Sequence, residues 1–114
     1  MLVCIIEFGT LPGMAERNKE LVTNLLVHAR EHDGFISKET FTSRDDPDKV
    51  VTMSYWRDAE SLRLWMRHEE HLKTIPMGRK ELFSHYSIQV AEIVTNKNWR
   101  KPGTVASVPA VLSQ

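Results

Sequence analysis

Trp65, His68 and His71 recur at three-residue intervals along a stretch that opens on Asp58 and reads as a helix. An indole and two imidazoles at one helix end, set beside a sheet, can stack a flat ring and move its proton. Histidine suits the second task because its unperturbed pKa, about 6.5, lies near neutral pH. Trp65 shares an apolar stripe with Leu62 and Met66, so core packing is its plain reading. The functional reading makes it one wall of a cavity between helix and sheet, its N–H aimed at a ligand oxygen. His68 falls on the adjacent flank, where a solvent-facing histidine is the plain reading. His71 stands near the expected helix end and is the candidate general base.

Three more residues could support such a site. Glu39 alternates with Phe35 and Phe41, and a carboxylate among aromatics is costly unless paired. It is expected to pair across a dimer or to lie at the cavity mouth. Arg79, after Gly78, can fork to a carboxylate or a substrate oxygen. Tyr86 can offer its hydroxyl to the cavity, and its neighbour His85 must then point to the opposite face. Metal ligation finds little support. His68 and His71 are spaced i, i+3, and His28 and His32 are spaced i, i+4 on a helix where they are expected to face solvent. No glycine-rich phosphate loop, GxSxG elbow or CxxC is present, so nucleotide-dependent and acyl-transfer chemistry is unsupported.

The elements that must position these side chains follow from periodicity and breakers. Leu2 to Phe8 reads as a strand, and Gly9 to Gly13, with Pro12, as a break. Between Met14 and His32, Leu21, Val22, Leu25, Leu26 and Ala29 recur at helical spacing, and Asp33-Gly34 ends that helix. Phe35 to Arg44 and Lys49 to Trp56 form a hairpin around Pro47. Asp58 is a good N-cap for the second helix. Glu69 would fall on its apolar stripe, so the helix bends or ends near there. Pro76 and Gly78 break the next segment, and Phe83 to Val94 is a fourth strand. The order βαββαβ is the ferredoxin-like plan, an α+β fold with a four-stranded antiparallel sheet and both helices on one face. Residues 1–97 make one domain. Residues 98–114 make a tail without period, disordered or docked on a partner.

The strand faces say more. Phe35 and Phe41 are expected on one face of the second strand, with Ile36 and Thr40 on the other. In the third, Val51, Met53 and Tyr55 oppose Val50, Thr52 and Trp56. In the fourth, Tyr86, Ile88 and Val90 oppose Ala91 and Ile93. Both sheet faces are therefore partly apolar, and two helices can cover only one. A second copy of the sheet is the economical cover, which implies a homodimer.

Composition sets the bounds. One domain is the expectation for 114 residues, and 41% hydrophobic with 26% charged residues suffices for a modest core. A net charge of zero argues against nucleic-acid binding and gives no support for anionic membranes. No apolar run approaches the roughly 18 residues of a membrane span, and the N-terminus lacks the marks of a signal peptide. Cys4, alone in an apolar strand, reads as a small core hydrophobe in a chain expected to be cytoplasmic.

Taken together, Asp33-Gly34-Phe35-Ile36-Ser37 with Glu39 and Phe41, Val51 through Asp58, Trp65, Glu70-His71, Gly78-Arg79 and Tyr86 resemble the antibiotic biosynthesis monooxygenase family over about residues 2 to 95. The resemblance implies a dimeric α/β barrel of ferredoxin-like subunits, each with a cavity between helices and sheet. It also implies a cofactor-free oxygenase that uses dioxygen on a small aromatic substrate of quinol or anthrone type. In such relatives a Trp on the second helix is followed six residues later by a Tyr. Trp65 matches the first position and His71 falls at the second. The Asn one turn before that Trp is replaced by Ser61.

A haem-degrading branch of the family is the alternative, with haem as substrate. It uses an Asn in the first strand and a His ten residues after the Trp. Here Ile75 stands at that position, and the first strand has Glu7 but no Asn. A third branch only binds a small ligand or dimerises. The leading mechanism assigns His71 as base and Trp65 as ring-facing wall and N–H donor. Arg79 and Tyr86 support the oxyanion, and no flavin or metal is required.

Overall fold

The computed structural model describes residues 1–68 and 78–103, the side chains of 78 and 79 excepted. Strands β1 (Leu2–Thr10), β2 (Phe35–Thr42), β3 (Lys49–Trp56) and β4 (Phe83–Glu92) form one sheet in the order β2-β3-β1-β4. All three pairings are antiparallel. Helices α1 (Ala15–Ala29) and α2 (Ala59–Met66) complete the βαββαβ order, and a π-helical turn, Gly78–Leu82, leads into β4. No helix among the described residues is long and apolar enough to cross a membrane.

Each element ends where local chemistry requires it. Helix α1 stops at Ala29, three residues before the expected His32. The N–H groups of Glu31 and His32 donate instead to the carbonyls of His28 and Ala29, the tighter winding typical of a fraying end. Gly34 follows with φ +88°, and a Cβ there would collide with Ser61 of α2, so only glycine fits. Asp58 caps α2 as expected, its carboxylate accepting from Ser61 N–H at 2.8 Å. Arg57 braces that corner. Its guanidinium forks to both oxygens of Asp33 at 3.1 Å each, and its Nε donates to Asp58 at 2.9 Å.

One strand face corrects the expectation. In β2, Phe35 pairs with Trp56 but Ser37 pairs with Tyr55, so Ile36 is an extra residue, a β-bulge. Phe35 therefore turns to the helix side, where it meets Trp56 edge-on at 5.3 Å. Phe41 and Glu39, opposite Val51 and Met53, stay on the other side. Three aromatic or acidic residues expected on one face are thus split between two, because one inserted residue reverses the alternation.

The core lies between helices and sheet, built from Cys4, Leu25, Ala29, Trp56, Leu62 and Trp65, with Leu2, Ile6, Phe35, Met66 and Ile88 packed against it. Burial pushes the Cys4 thiol up from its ordinary pKa, so it stays protonated and inert. The opposite sheet face presents Ile5, Val51, Met53 and Tyr55, half-buried, and Phe41, exposed.

Candidate active site

Strand register sets the floor of the site in rows across the sheet. Phe35, Trp56 and Leu2 make one row. Lys38, Ser54 and Cys4 make the next, and Thr40, Thr52 and Ile6 the third. Trp56 is fully buried, and its Nε1 donates to Ser54 Oγ at 3.0 Å. Above it lies Trp65 of α2, 6% exposed, with ring centroids 6.3 Å apart and planes 21° from parallel. The α2 stripe explains this placement. Ser61, Leu62 and Trp65 are its buried residues, three and four apart, so they share the sheet-facing side.

Two cavities open on this floor. The inner one, about 70 Å³, is walled by Trp56 and Trp65 and closed by Leu25, Ala29, Leu62 and Met66. The outer one, about 510 Å³, runs between α1 and strands β2 and β3, over Thr40 and Val50. Val22 and Lys38 line both. The outer volume suits a small organic ligand. The inner volume suits a group no larger than a few atoms. Lys38 is half-buried, and loss of hydration pushes its ammonium down to about 8.

A cluster of imidazoles adjoins Trp65. His32 packs on its edge at 5.3 Å and 73°, and His68 lies 5.3 Å from it at 32°. His68 also touches His32 at 5.0 Å and His28 at 5.5 Å. His28 and His32 thus do not face open solvent as the i, i+4 spacing suggested. Both are half-buried because the end of α1 packs over the end of α2. Burial, then the charge of His68, lowers the His32 pKa, so this ring is neutral at pH 7 and able to accept a proton. Among the described residues no group of three His, Cys, Asp or Glu is placed to hold a metal ion.

The candidates from sequence are dispersed. Trp65 lines the inner cavity, and His68 touches its ring. Glu39 is exposed and lies at the rim of the outer cavity. His71 lies outside the described residues, as does the side chain of Arg79 on the π-helical turn. Tyr86 pairs with Phe8, six residues along β1 from Leu2, which puts it about 20 Å from the tryptophan row. Its ring lies 6.3 Å from Phe83, and it lines neither cavity. Two site residues escaped sequence reasoning. Lys38 shares the parity of Thr40, so its face was readable, but its depth was not. Asn18 looked like any polar helix residue, yet it is buried and lines the outer cavity.

Comparisons with known proteins give one consistent answer. The model of the antibiotic biosynthesis monooxygenase family matches residues 1–76. The chain is 24% identical over 110 residues to a protein named jasmonate monooxygenase ABM from Pyricularia oryzae, covering 96% of this chain and 51% of that protein. It thus spans about half the length of that curated relative. Among solved structures, SnoaB, a cofactor-independent oxygenase from Streptomyces nogalater, superposes with TM-score 0.73 at 14% identity, covering 82% of this chain and 93% of that one. A protein from Pseudomonas aeruginosa gives 0.73 at 21% identity, over 82% and 94%. These likenesses show the fold.

Proposed function

The chain belongs to the antibiotic biosynthesis monooxygenase family, and from that premise we propose that it is a cofactor-independent monooxygenase acting on a small hydroxyaromatic of quinol or anthrone type. The observation that carries this reading is the pair of stacked indoles walling the inner cavity, which shares Val22 and Lys38 with an outer cavity of ligand size, with the His32 ring at the edge of Trp65. The similarity to the Pyricularia oryzae monooxygenase and to the cofactor-independent oxygenase SnoaB supports the reaction class.

The chemistry needs little from the protein. A base removes a proton from the bound hydroxyaromatic, and the resulting anion is electron-rich enough to reduce dioxygen. In an anthrone the ring CH2 carbon is the one oxidised, and one oxygen atom ends there as a carbonyl. The other leaves as water with the two hydrogens. We assign His71 as the base, with His68 and His32 beside the ring wall formed by Trp65. Burial of Trp56 and Trp65 excludes water from the reacting face. The reading also takes the molecule as a homodimer, its free sheet face, with Ile5, Val51, Met53 and Tyr55, covered by a second copy.

The test is oxygen consumption by purified protein on a panel of quinols and anthrones, without added flavin or metal. Turnover with a carbonyl product supports the reading. No uptake across the panel, together with haem binding and iron release under a reductant, would replace it with the haem-degrading alternative.

A further inference from the structure

The outer cavity holds two polar groups that the fold leaves without partners. Lys38 is the only charged residue lining the inner cavity among the described residues, and it lines the outer one as well. No carboxylate pairs with it there: the ion pairs among the described residues engage Arg17, Lys49, Arg57 and Arg63. Its cross-strand neighbour Ser54 and the thiol of Cys4 beyond it carry no charge to balance it. The second group is Asn18. Its side chain is buried, 3% exposed, and its Oδ1 accepts no hydrogen bond. A buried acceptor left empty and a desolvated cation left unbalanced are both costly, and such costs persist where a ligand relieves them.

We propose that the cavity between α1 and β2 binds a small, mostly apolar organic anion, with its anionic oxygen on the Lys38 ammonium and a hydroxyl donating to Asn18 Oδ1. This rests on the oxygenase reading for naming the ligand as substrate, but not for the binding itself. The depressed proton affinity of Lys38, caused by loss of hydration, agrees with an ammonium that lacks its counter-ion. Apart from the charged residues at the rim, the remaining lining is apolar or hydroxylic, with Val22, Leu26, Thr40 and Val50 around the body of the ligand. Exposed Glu16, Lys19 and Glu39 lie at the rim, two acids to one base, so the mouth offers no positive field for a polyphosphate. A single anionic oxygen on a flat body is the chemistry that fits. It can be a carboxylate or an ionised ring hydroxyl, and the second is the form that reacts with dioxygen in the proposed reaction.

Calorimetric titration of the full chain with 2-naphthoate, 2-naphthol and the neutral isostere 2-naphthamide tests this. The wild-type protein should bind at least one of the two acids about tenfold or more tightly than the amide. Preference for naphthoate identifies a carboxylate. Appearance of the naphtholate absorption band at a pH where free naphthol is neutral identifies an ionised hydroxyl. Lys38→Met should erase the preference, and Lys38→Arg should keep it. Asn18→Leu should remove the extra affinity of 6-hydroxy-2-naphthoate over 2-naphthoate. Equal binding of acids and amide by the wild type overturns the proposal, and that comparison needs no variant to fold. A preference that survives Lys38→Met overturns it too, as does no binding of any probe. The oxygenase reading fails separately: anion preference with no oxygen uptake on the quinol panel leaves the site standing and removes the reaction.

Discussion

Trp56 and Trp65 stack with centroids 6.3 Å apart, one indole delivered by the end of a strand and the other by the last turn of a short helix. The contact joins the sheet to α2 and is at once core and cavity wall. Trp56 is fixed further by its hydrogen bond to Ser54, and both rings border the inner cavity. Trp65→Ala should therefore cost about 3 kcal/mol, the low end for a large aromatic, since a void already borders the ring. Urea unfolding checks it. Trp65→Phe should restore most of the stability and part of the turnover. A change in midpoint near zero for the alanine variant would remove Trp65 from the core.

The assignment of His71 as base has a kinetic consequence. His71→Ala should lower turnover of the best quinol by about 10²- to 10⁴-fold, the usual contribution of a general base. The wild-type rate should rise with pH as the imidazole loses its proton, and the variant should lose that limb of the profile. An undiminished rate in His71→Ala would move the role to the histidines that touch Trp65.

Lys38 predicts a pH dependence of stability. Its proton is released at about 8 in the folded chain, against an ordinary value of 10.5. Below pH 8 both states carry the proton and the full penalty is present. Between about 8 and 10.5 the unfolded chain binds more protons than the folded one, so stability rises with pH. A gain of about 2 kcal/mol relative to Lys38→Met is expected over that range. Denaturant titrations at a series of pH values measure it, and parallel curves for the two proteins would refute it.

Asp58 predicts a rise of stability with pH as well, at the acid end. Its bonds to Ser61, then to Arg57, hold its carboxyl well below the ordinary carboxylate range. Its contribution is complete above the unfolded value near 3.8 and fades as pH falls below that. Loss of the cap in Asp58→Ala should lower stability at neutral pH. Thermal melts would show a lower Tm for the variant. An unchanged Tm would mean that Arg57 and Asp33 hold the corner without it.

The apolar sheet face gives the assembly prediction. Sedimentation should return about twice the 13.2 kDa of one chain. Met53→Glu, in the middle of that face opposite Glu39, should dissociate it by burying like charges. A concentration-independent monomer in the wild type would refute the dimer.

The element order was legible in the residues themselves. Alternation marked the strands, the spacing of Leu62, Trp65 and Met66 marked the buried face of α2, and Asp58 marked its start. These are local signals, carried by side-chain period and by a cap that needs only three residues. The family was legible too, because its motifs lie along those same elements. What sequence could not reach were quantities that depend on several elements at once. One inserted residue at Ile36 moved Phe35 to the helix side, and bulges leave no period to read. His28 and His32 left the solvent only because the ends of α1 and α2 meet. Tyr86 shares a sheet face with Trp56, but register puts it at the other end of the sheet. Lys38 and Asn18 became candidates for binding through burial without partners, a property of the packed molecule that neither residue carries alone.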